Sequence, residues 1–236
     1  MDAAPIAIAH RGDPIHQREN TLPAFEAAVR RGADMVEIDL RRTRDGSIVV
    51  LHDATLERLW GMPDAVADME LTDLEGVGRG HERIPTFRQV LQTVKIPLMV
   101  DFTRREVVEG AVGEVRAADA MHSALFVTGN VEALRMLHSI APEARIGLTW
   151  VEETLPPFSL LDELGAEFWN PMFPLVTPSR VADFHAQGLK VSTWTVDRES
   201  DMAAMVAAGV DAIVTNQIAS LRSFLDEGST AGLPPR

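Results

Sequence analysis

Residues 35–53 have the sequence MVEIDLRRTRDGSIVVLHD, which predicts a β-hairpin. Apolar and acidic side chains alternate in the first six residues, so the period of a strand places Glu37 and Asp39 together on the face opposite the apolar residues. Asp45-Gly46 is a strong signal for a tight hairpin turn, and Ile48–Leu51 is the predicted return strand. The stretch therefore predicts two antiparallel strands, of which the first carries a pair of carboxylates.

The same turn predicts the position of His52. With the turn centred near Asp45-Gly46, paired positions add up to about 90 or 91, and His52 then lies opposite Ile38 or Asp39, roughly 5 Å from its cross-strand neighbour. Two carboxylates on one face repel each other unless something neutralises them. The two carboxylates alone fit either an ordinary solvent-exposed face or a site for a bound cation. The predicted position of His52 next to them favours the cation site. Oxygen ligands indicate Mg²⁺ or Ca²⁺.

A second group of polar residues precedes the hairpin. Pro5–Ala9 is a short apolar run that predicts a buried strand, and His10-Arg11-Gly12 follows at its carboxyl end. A helix is predicted between an N-cap at Asn20 or Thr21 and a stop at Gly32. Strand and helix together form one βα unit in front of the hairpin.

The rest of the chain repeats this alternation. Further strands are predicted at Pro97–Phe102, Ala124–Thr128, Arg145–Trp150, Glu167–Asn170, Lys190–Val196 and Asp211–Thr215. Helices are predicted at Glu106–Ala118, Val131–Ile140, Pro157–Leu164, Pro178–Ala186, Arg198–Ala208 and Ile218–Asp226. Eight βα units predict an α/β fold of the (β/α)₈ TIM barrel type, irregular because of the hairpin and of a small cap inserted after the second strand. We expect one domain over residues 1–236, with the cap at approximately 53–83 and a frayed tail at 228–236.

Composition limits the possible functions. The chain has 236 residues, no cysteine and a formal net charge of -13, which argues against disulfide or thiolate chemistry and against binding to nucleic acid or anionic membrane surfaces. No apolar stretch approaches the roughly 20 residues of a membrane helix. We expect a cytoplasmic location without stable membrane insertion, and a removed signal peptide stays open. The oligomeric state does not follow from the sequence.

Chemistry in TIM barrels occurs at the carboxyl ends of the strands. Five residues of chemical interest lie at or near such ends: His10, Arg11, Asp39, Asp101 and Trp194. Two histidines, an arginine and several carboxylates at one point suit the metal-assisted cleavage of a phosphate diester.

These residues resemble the glycerophosphodiester phosphodiesterase family over nearly the whole chain. The resemblance is carried by His10-Arg11-Gly12, Glu19-Asn20-Thr21, Ala24-Phe25, Gly32-Ala33-Asp34, Glu37-Ile38-Asp39, Thr43-Arg44-Asp45-Gly46, His52-Asp53, Arg58, Ile84-Pro85-Thr86, Trp194-Thr195-Val196-Asp197 and Gly209-Val210-Asp211. It implies hydrolysis of a small-molecule glycerophosphodiester to glycerol 3-phosphate and an alcohol, with a divalent cation.

The resemblance also implies a role for each site residue. His10 and His52 would be the general acid/base pair, and Arg11 would hold a phosphate oxygen. The metal ligands would be Glu37, Asp39 and Asp101, and Trp194 would line the substrate pocket. The family usually has Glu-x-Lys at the third ligand, where this chain has Asp101-Phe102-Thr103. The shorter acid would shift the cation. With threonine in place of the family's lysine, a charge-assisted contact with the phosphate would be lost, worth roughly 1.5–3 kcal/mol.

Several alternatives stay open at this point. The first nucleophile is water or a neighbouring hydroxyl of the substrate, and either histidine could start as the base. A phospholipase D-like hydrolase or cyclising lyase acting on lysophospholipids would use the same site, and a non-catalytic binding barrel would have lost the family's lysine. Glu19 fits both a contact behind the site and a helix cap. Trp60 and Met62 fit both the alcohol side of the pocket and packing within the cap.

Overall fold

The computed structural model describes residues 4–230, with side chains through residue 227. Residues 1–3 and 231–236 lie outside the described part, and with them most of the predicted frayed tail. The backbone of residues 228–230 continues the last helix.

Nine β-strands form the sheet within residues 4–230. They are β1 Ile6–Ala9, β2 Met35–Arg42, β3 Ile48–Val50, β4 Leu98–Asp101, β5 Ala124–Thr128, β6 Arg145–Trp150, β7 Phe168–Pro171, β8 Lys190–Thr193 and β9 Ala212–Thr215. Eight of them are parallel, and β1 pairs with both β9 and β2, so the sheet closes into a barrel. The remaining strand, β3, runs antiparallel to β2 as an outer arm. The predicted irregular TIM barrel is confirmed.

Ten α-helices accompany the strands in the described part of the chain. They are α1 Leu22–Arg30, α2 Glu57–Trp60, α3 Leu71–Leu74, α4 Phe87–Thr93, α5 Val108–Ala117, α6 Val131–Ile140, α7 Phe158–Glu163, α8 Pro178–Ala186, α9 Glu199–Ala208 and α10 Ile218–Thr230. Short 3₁₀ helices lie at Val66–Asp68, Arg105–Val107, Met121–Ser123 and Phe173–Leu175. The sequence argument missed α4, whose signal is a capping box in which Thr86 and Gln89 each accept the other's backbone N–H.

The hairpin has the predicted register. Leu40 pairs with Val50, so paired positions add up to 90. The backbone N–H of Leu51 donates to the carbonyl of Asp39 at 2.9 Å, which leaves His52 beside the end of the acidic pair. The Asp-Gly turn therefore set the register as expected, with Gly46 in the left-handed region at φ 89°.

Two apolar layers hold the barrel. The larger one lies between the sheet and the helices and includes Val36, Ile38 and Leu40, the apolar face of β2. The smaller one fills the barrel interior and contains Ile8, Met35, Met99, Leu125, Val127, Phe168, Ala212 and Val214, with Trp194 packed against it. The interior face of β2 contributes Met35 to this layer, and Glu37 and Asp39 lie farther along the same face.

The segment after β3 forms a cap with its own small core. Leu56, Val66 and Leu74 are buried there, and Trp60 and Met62 pack against them. This packing favours the structural interpretation of Trp60 and Met62 over a place in the substrate pocket. Among the described residues, no helix has the length and apolar character needed to cross a membrane.

Candidate active site

Strand alternation brings three carboxylates to the mouth of the barrel. Met35 lies in the interior layer, so Glu37 and Asp39 on the same face of β2 rise above it toward the carboxyl end. In β4, Met99 lies in the interior layer, and Asp101 follows on the same face, nearer the carboxyl end of the strand. Asp101 pairs directly with Asp39 in the parallel register. Ligand oxygens of the three acids lie within 4.8 Å of one another. Their convergence follows from the barrel register.

Burial makes this arrangement costly without a counter-charge. Glu37 and Asp39 are only 5% and 8% exposed. Burial and the neighbouring charge of Asp39 raise the pKa of Glu37 well above its usual value, and they raise the pKa of Asp101 to about 7. Three clustered carboxylates, of which two are buried and Asp101 is partly buried, fit a hard divalent cation such as Mg²⁺ or Ca²⁺. Asp101 caps no helix in the described chain, because the 3₁₀ turn and α5 that follow have no side-chain cap.

His10 follows β1 and stands beside this acidic cluster. Its Nε2 lies 4.0 Å from Glu37 Oε2, and its Nδ1 is 2.8 Å from Asn216 Oδ1. The amide of Asn216 is oriented by Asp197, because Nδ2 donates to Asp197 Oδ2 at 2.8 Å. Burial, with a further contribution from Arg11, lowers the pKa of His10. Because the Oδ1 atom of Asn216 is an acceptor, the matching tautomer of His10 has its proton on Nδ1 and leaves Nε2 facing the site.

Arg11 lies between the carboxylates, with a left-handed backbone at φ 57°. Its backbone N–H donates to Glu37 Oε2 at 2.9 Å, and one guanidinium nitrogen donates to Glu19 Oε1 at 3.0 Å. Although burial opposes the charge, Asp39 and Glu37 raise the pKa of Arg11. Nε lies 3.1 Å from Asp39 Oδ2 but is not aligned with it, so this buried donor makes no hydrogen bond within the described chain.

The loop before α1 contains a contact that sequence reasoning missed. Thr21 occupies the N-cap position, yet its hydroxyl donates to the carbonyl of Arg18 and does not cap the helix. Asn20 instead adopts a left-handed backbone at φ 56°, and its Nδ2 donates to Asp39 Oδ2 at 2.7 Å. Either residue was expected to cap α1, and neither side chain does. One indication of this conformation was present in the sequence, because asparagine tolerates a left-handed backbone better than most residues do.

His52 follows the return strand of the hairpin and is held by a series of charged hydrogen bonds. Its Nδ1 is 2.7 Å from Asp53 Oδ1, and Arg58 donates to Asp53 Oδ2 at 2.6 Å. Arg58 also donates twice to Glu19, at 2.7 and 3.0 Å, and Glu19 in turn accepts from Arg11. Hydrogen bonds from Arg58 and then from His52 lower the pKa of Asp53 to about 2. Glu19 therefore lies behind the site and links Arg58 to Arg11 through hydrogen bonds.

Trp194 and Thr103 complete the mouth. Trp194 is half-buried over the interior layer, and its Nε1 donates to the carbonyl of Asn170 at 3.0 Å. It thus lies at the edge of the site and not wholly inside the barrel. Thr103 is exposed, and its hydroxyl accepts from Arg41 at 2.9 Å. The structure therefore gathers all the predicted site residues around the mouth of the barrel, and their chemical roles stay predictions.

A closed (β/α)₈ barrel with clustered acids, an arginine and two histidines at the carboxyl ends of its strands belongs to the class of TIM-barrel enzymes. Residues 10–220 match the family model described as "Glycerophosphoryl diester phosphodiesterase family". The chain belongs to this family. The prediction of a phosphoric diester hydrolase of this family is confirmed.

Individual relatives agree with the family match. The chain is 29% identical to a glycerophosphodiester phosphodiesterase of Caldanaerobacter subterraneus subsp. tengcongensis over 94% of this chain and 98% of that protein. Its fold is similar to an Oleispira antarctica phosphodiesterase solved in complex with the product sn-glycerol-3-phosphate, with a TM-score of 0.87, 24% identity, and coverage of 94% and 97%. A glycerophosphodiester phosphodiesterase of Thermotoga maritima has a TM-score of 0.81, 20% identity, and coverage of 94% and 99%.

Proposed function

We propose that the protein hydrolyses glycerophosphodiesters to sn-glycerol 3-phosphate and an alcohol, with a divalent cation and two histidines that act as acid and base. The observation that carries the proposal is the cluster of three carboxylates within 4.8 Å, flanked by His10 and His52 at the barrel mouth. Family membership and the relative crystallised with sn-glycerol-3-phosphate support the choice of substrate.

Glu37, Asp39 and Asp101 would hold the cation, Mg²⁺ or Ca²⁺. When bound, it would offset negative charge on the phosphoryl oxygens. Asn20 fixes the orientation of the Asp39 carboxylate through its hydrogen bond to Oδ2. Asp101 pairs with Asp39 in the parallel register, and its carboxylate accepts a hydrogen bond from the backbone of Phe102.

The Nδ1 atoms of the two histidines have different partners. The Nδ1 proton of His10 is directed to an amide oxygen and burial lowers its pKa, so Nε2 is free to accept a proton from the nucleophile. His52 has a different partner, because its Nδ1 lies 2.7 Å from a carboxylate oxygen of Asp53 and not from an amide oxygen. We therefore assign His10 as the base and His52 as the acid that protonates the departing alkoxide, each through Nε2.

Arg11 supplies the fixed positive charge next to these groups. Its buried Nε has no aligned acceptor among the described residues, and a phosphoryl oxygen near Asp39 would provide one. Donors placed in advance around the phosphate lower the barrier because they need no reorganisation during the reaction. Trp194, half-buried at the edge of the mouth, would contribute an apolar wall for the substrate.

The test is release of glycerol 3-phosphate from glycerophosphocholine and glycerophosphoethanolamine, measured with Mg²⁺, with Ca²⁺ and with EDTA. We expect release with at least one cation and none with EDTA. Release that is equal in EDTA would contradict the metal assignment. No release under any condition would contradict the substrate, and lysophospholipids would then be assayed with ³¹P detection of any cyclic phosphate.

A further inference from the structure

A short series of hydrogen bonds runs from an exposed carboxylate to His10. β1 and β9 are adjacent, with Ala9 paired to Thr215, so His10 and Asn216, which follow these strands, lie side by side. Nδ1 of His10 is 2.8 Å from Oδ1 of Asn216. Nδ2 of Asn216 donates in turn to Oδ2 of Asp197 at 2.8 Å. We call His10, Asn216 and Asp197 the positioning triad.

Asp197 fixes the orientation of the Asn216 amide. Its Oδ1 accepts from the backbone N–H of Asn216 at 2.8 Å and from the hydroxyl of Thr215 at 3.1 Å. The hydroxyl of Thr215 accepts from the backbone N–H of Gln217 at 2.9 Å, which leaves its own proton for Asp197. An ionised carboxylate can only accept hydrogen bonds. The amide nitrogen of Asn216 must therefore face Asp197, and the amide oxygen must face His10.

The orientation of this amide decides which ring nitrogen of neutral His10 carries the proton. Against an amide oxygen, Nδ1 is the protonated donor, whereas against an amide nitrogen it is the unprotonated acceptor. Nε2 lies 4.0 Å from Oε2 of Glu37, beyond hydrogen-bonding distance, so the contact at Nδ1 is the decisive one. A proton on Nδ1 leaves Nε2 as an acceptor, which is the form that a general base needs.

We propose that Asp197 is a positioning residue, which selects the tautomer of His10 through Asn216 and so makes His10 competent as the base. This inference rests on the proposed function, in which His10 accepts a proton from the nucleophile. Asp197 acts through the direction of two hydrogen bonds, since Asn216 lies between it and His10. Its side chain is exposed, so it can be replaced without opening the core.

Asp197→Asn should reverse the direction of these hydrogen bonds. The oxygen of the introduced amide stays at the position of Oδ1, because the backbone N–H of Asn216 can only donate. The introduced nitrogen then occupies the position of Oδ2 and turns the oxygen of Asn216 toward itself. Nδ2 of Asn216 then faces Nδ1 of His10, and the proton of His10 moves to Nε2. We expect kcat of the cation-loaded enzyme for glycerophosphocholine to fall by about 10²-fold or more, with KM within about threefold.

The exchange variant Asp197→Asn/Asn216→Asp restores the direction of the hydrogen bonds at unchanged net charge. A carboxylate at position 216 accepts from the amide at position 197 and from Nδ1 of His10, so Nε2 is again an acceptor. We expect its kcat to exceed that of Asp197→Asn by about tenfold or more. Asp183→Asn, at an exposed position of α8, is the matched control and should keep kcat within about twofold. Melting temperatures check that all three variants fold.

A spectroscopic readout does not depend on turnover. The ¹⁵N chemical shifts of Nδ1 and Nε2 distinguish the two tautomers, and the spectrum of His10→Ala identifies the signals of His10 among those of the seven histidines. The spectra are recorded at about pH 9, where histidine is neutral, with Mg²⁺ and with EDTA. The original chain and the exchange variant should have the proton on Nδ1, and Asp197→Asn should have it on Nε2.

The outcomes separate this inference from the proposed function. A changed tautomer and a loss of kcat in Asp197→Asn, both reversed in the exchange variant, support the inference. An unchanged tautomer in Asp197→Asn, or a loss of kcat that the exchange variant does not reverse, overturns it. A changed tautomer with full activity also overturns it, since His10 would then not be the base. If the original chain hydrolyses no diester, the proposed function fails, and the spectra alone support or overturn the selection of the tautomer by Asp197.

Discussion

Two asparagines orient the charged groups of the site without carrying charge themselves. The Oδ1 atom of Asn216 accepts a hydrogen bond from Nδ1 of His10, and Asp197 accepts one from the amide nitrogen of Asn216. These two contacts favour one tautomer of His10 at the barrel mouth. Asn20 donates to Asp39, a carboxylate that also faces Asp101. Neutral amides suit these positions because a further acid would add repulsion to an already crowded set of carboxylates.

Replacing either histidine should remove turnover without removing the cation site. For His10→Ala and for His52→Ala we expect kcat to fall by about 10²–10⁴-fold, because proton transfer at Nε2 is lost. Affinity for Mg²⁺ or Ca²⁺ should stay within a few-fold by calorimetry, since neither side chain belongs to the acidic cluster. His122→Ala, at an exposed position, is the control. Substantial activity in the double histidine variant would refute the assignment.

Asn20→Ala tests the support of the cation site. Loss of the 2.7 Å hydrogen bond frees the Asp39 carboxylate to rotate, and removing such a supporting contact typically weakens metal binding by about 10–100-fold. The measurement is the dissociation constant for Mg²⁺ or Ca²⁺ of the EDTA-treated protein. An unchanged constant would show that strand register alone fixes Asp39.

The hairpin and the first loop show how far the sequence predicts the site. The register that returns His52 was predictable because an Asp-Gly turn acts through adjacent residues. The role of Asn20 was not, since it depends on a left-handed backbone that directs its side chain across to β2. Asn216 follows β9, and its contact with His10 exists only because β9 pairs with β1 when the barrel closes. Contacts created by closure leave no local pattern in the sequence.

Gly12→Ala should destabilise the loop between β1 and α1. Gly12 has φ 88°, and an added Cβ would lie 2.6 Å from the backbone carbon of Ala24 in α1. The left-handed conformation alone costs roughly 1–2 kcal/mol, and the clash adds to it, so we expect the free energy of unfolding to fall by more than about 2 kcal/mol in urea denaturation. The displaced loop should also lower activity through Arg11.

Gly113→Ala is the matched comparison for this substitution. Gly113 lies at an exposed position of α5, where an added Cβ meets no atom within 4 Å. The same chemical change should therefore stabilise the protein by up to about 1 kcal/mol, the difference in helix propensity between the two residues. Equal effects at both positions would show that the backbone of Gly12 is not constrained as described.

The acidic mouth links the stability of the whole barrel to pH and to the cation. Burial and then the charge of Asp39 raise the pKa of Asp101 in the folded protein to about 7, from its ordinary value of 3.8. Between these values the folded state binds more protons than the unfolded state, so this group lowers stability as pH rises from about 4 to about 7. His10 has the opposite effect on stability. Burial lowers its pKa in the folded state, so its contribution to stability increases as pH rises.

Comparison with Asp101→Asn cancels the contribution of His10, which is present in both proteins, and measures Asp101 together with its repulsion of Glu37. For the EDTA-treated chain, the stability of the variant relative to the original should increase as pH rises through this window, by at most roughly 4 kcal/mol. A divalent cation reverses the situation, because it binds the ionised acids, so its stabilising effect on the original chain should grow with pH and be much smaller in the variant. Chemical denaturation at several pH values, with EDTA and with cation, measures both effects. Parallel stability curves for the two proteins would show that the pKa of Asp101 is not raised. The three acids would then lack the mutual repulsion that favours a bound cation, and the proposed metal-assisted reaction would lose its main support.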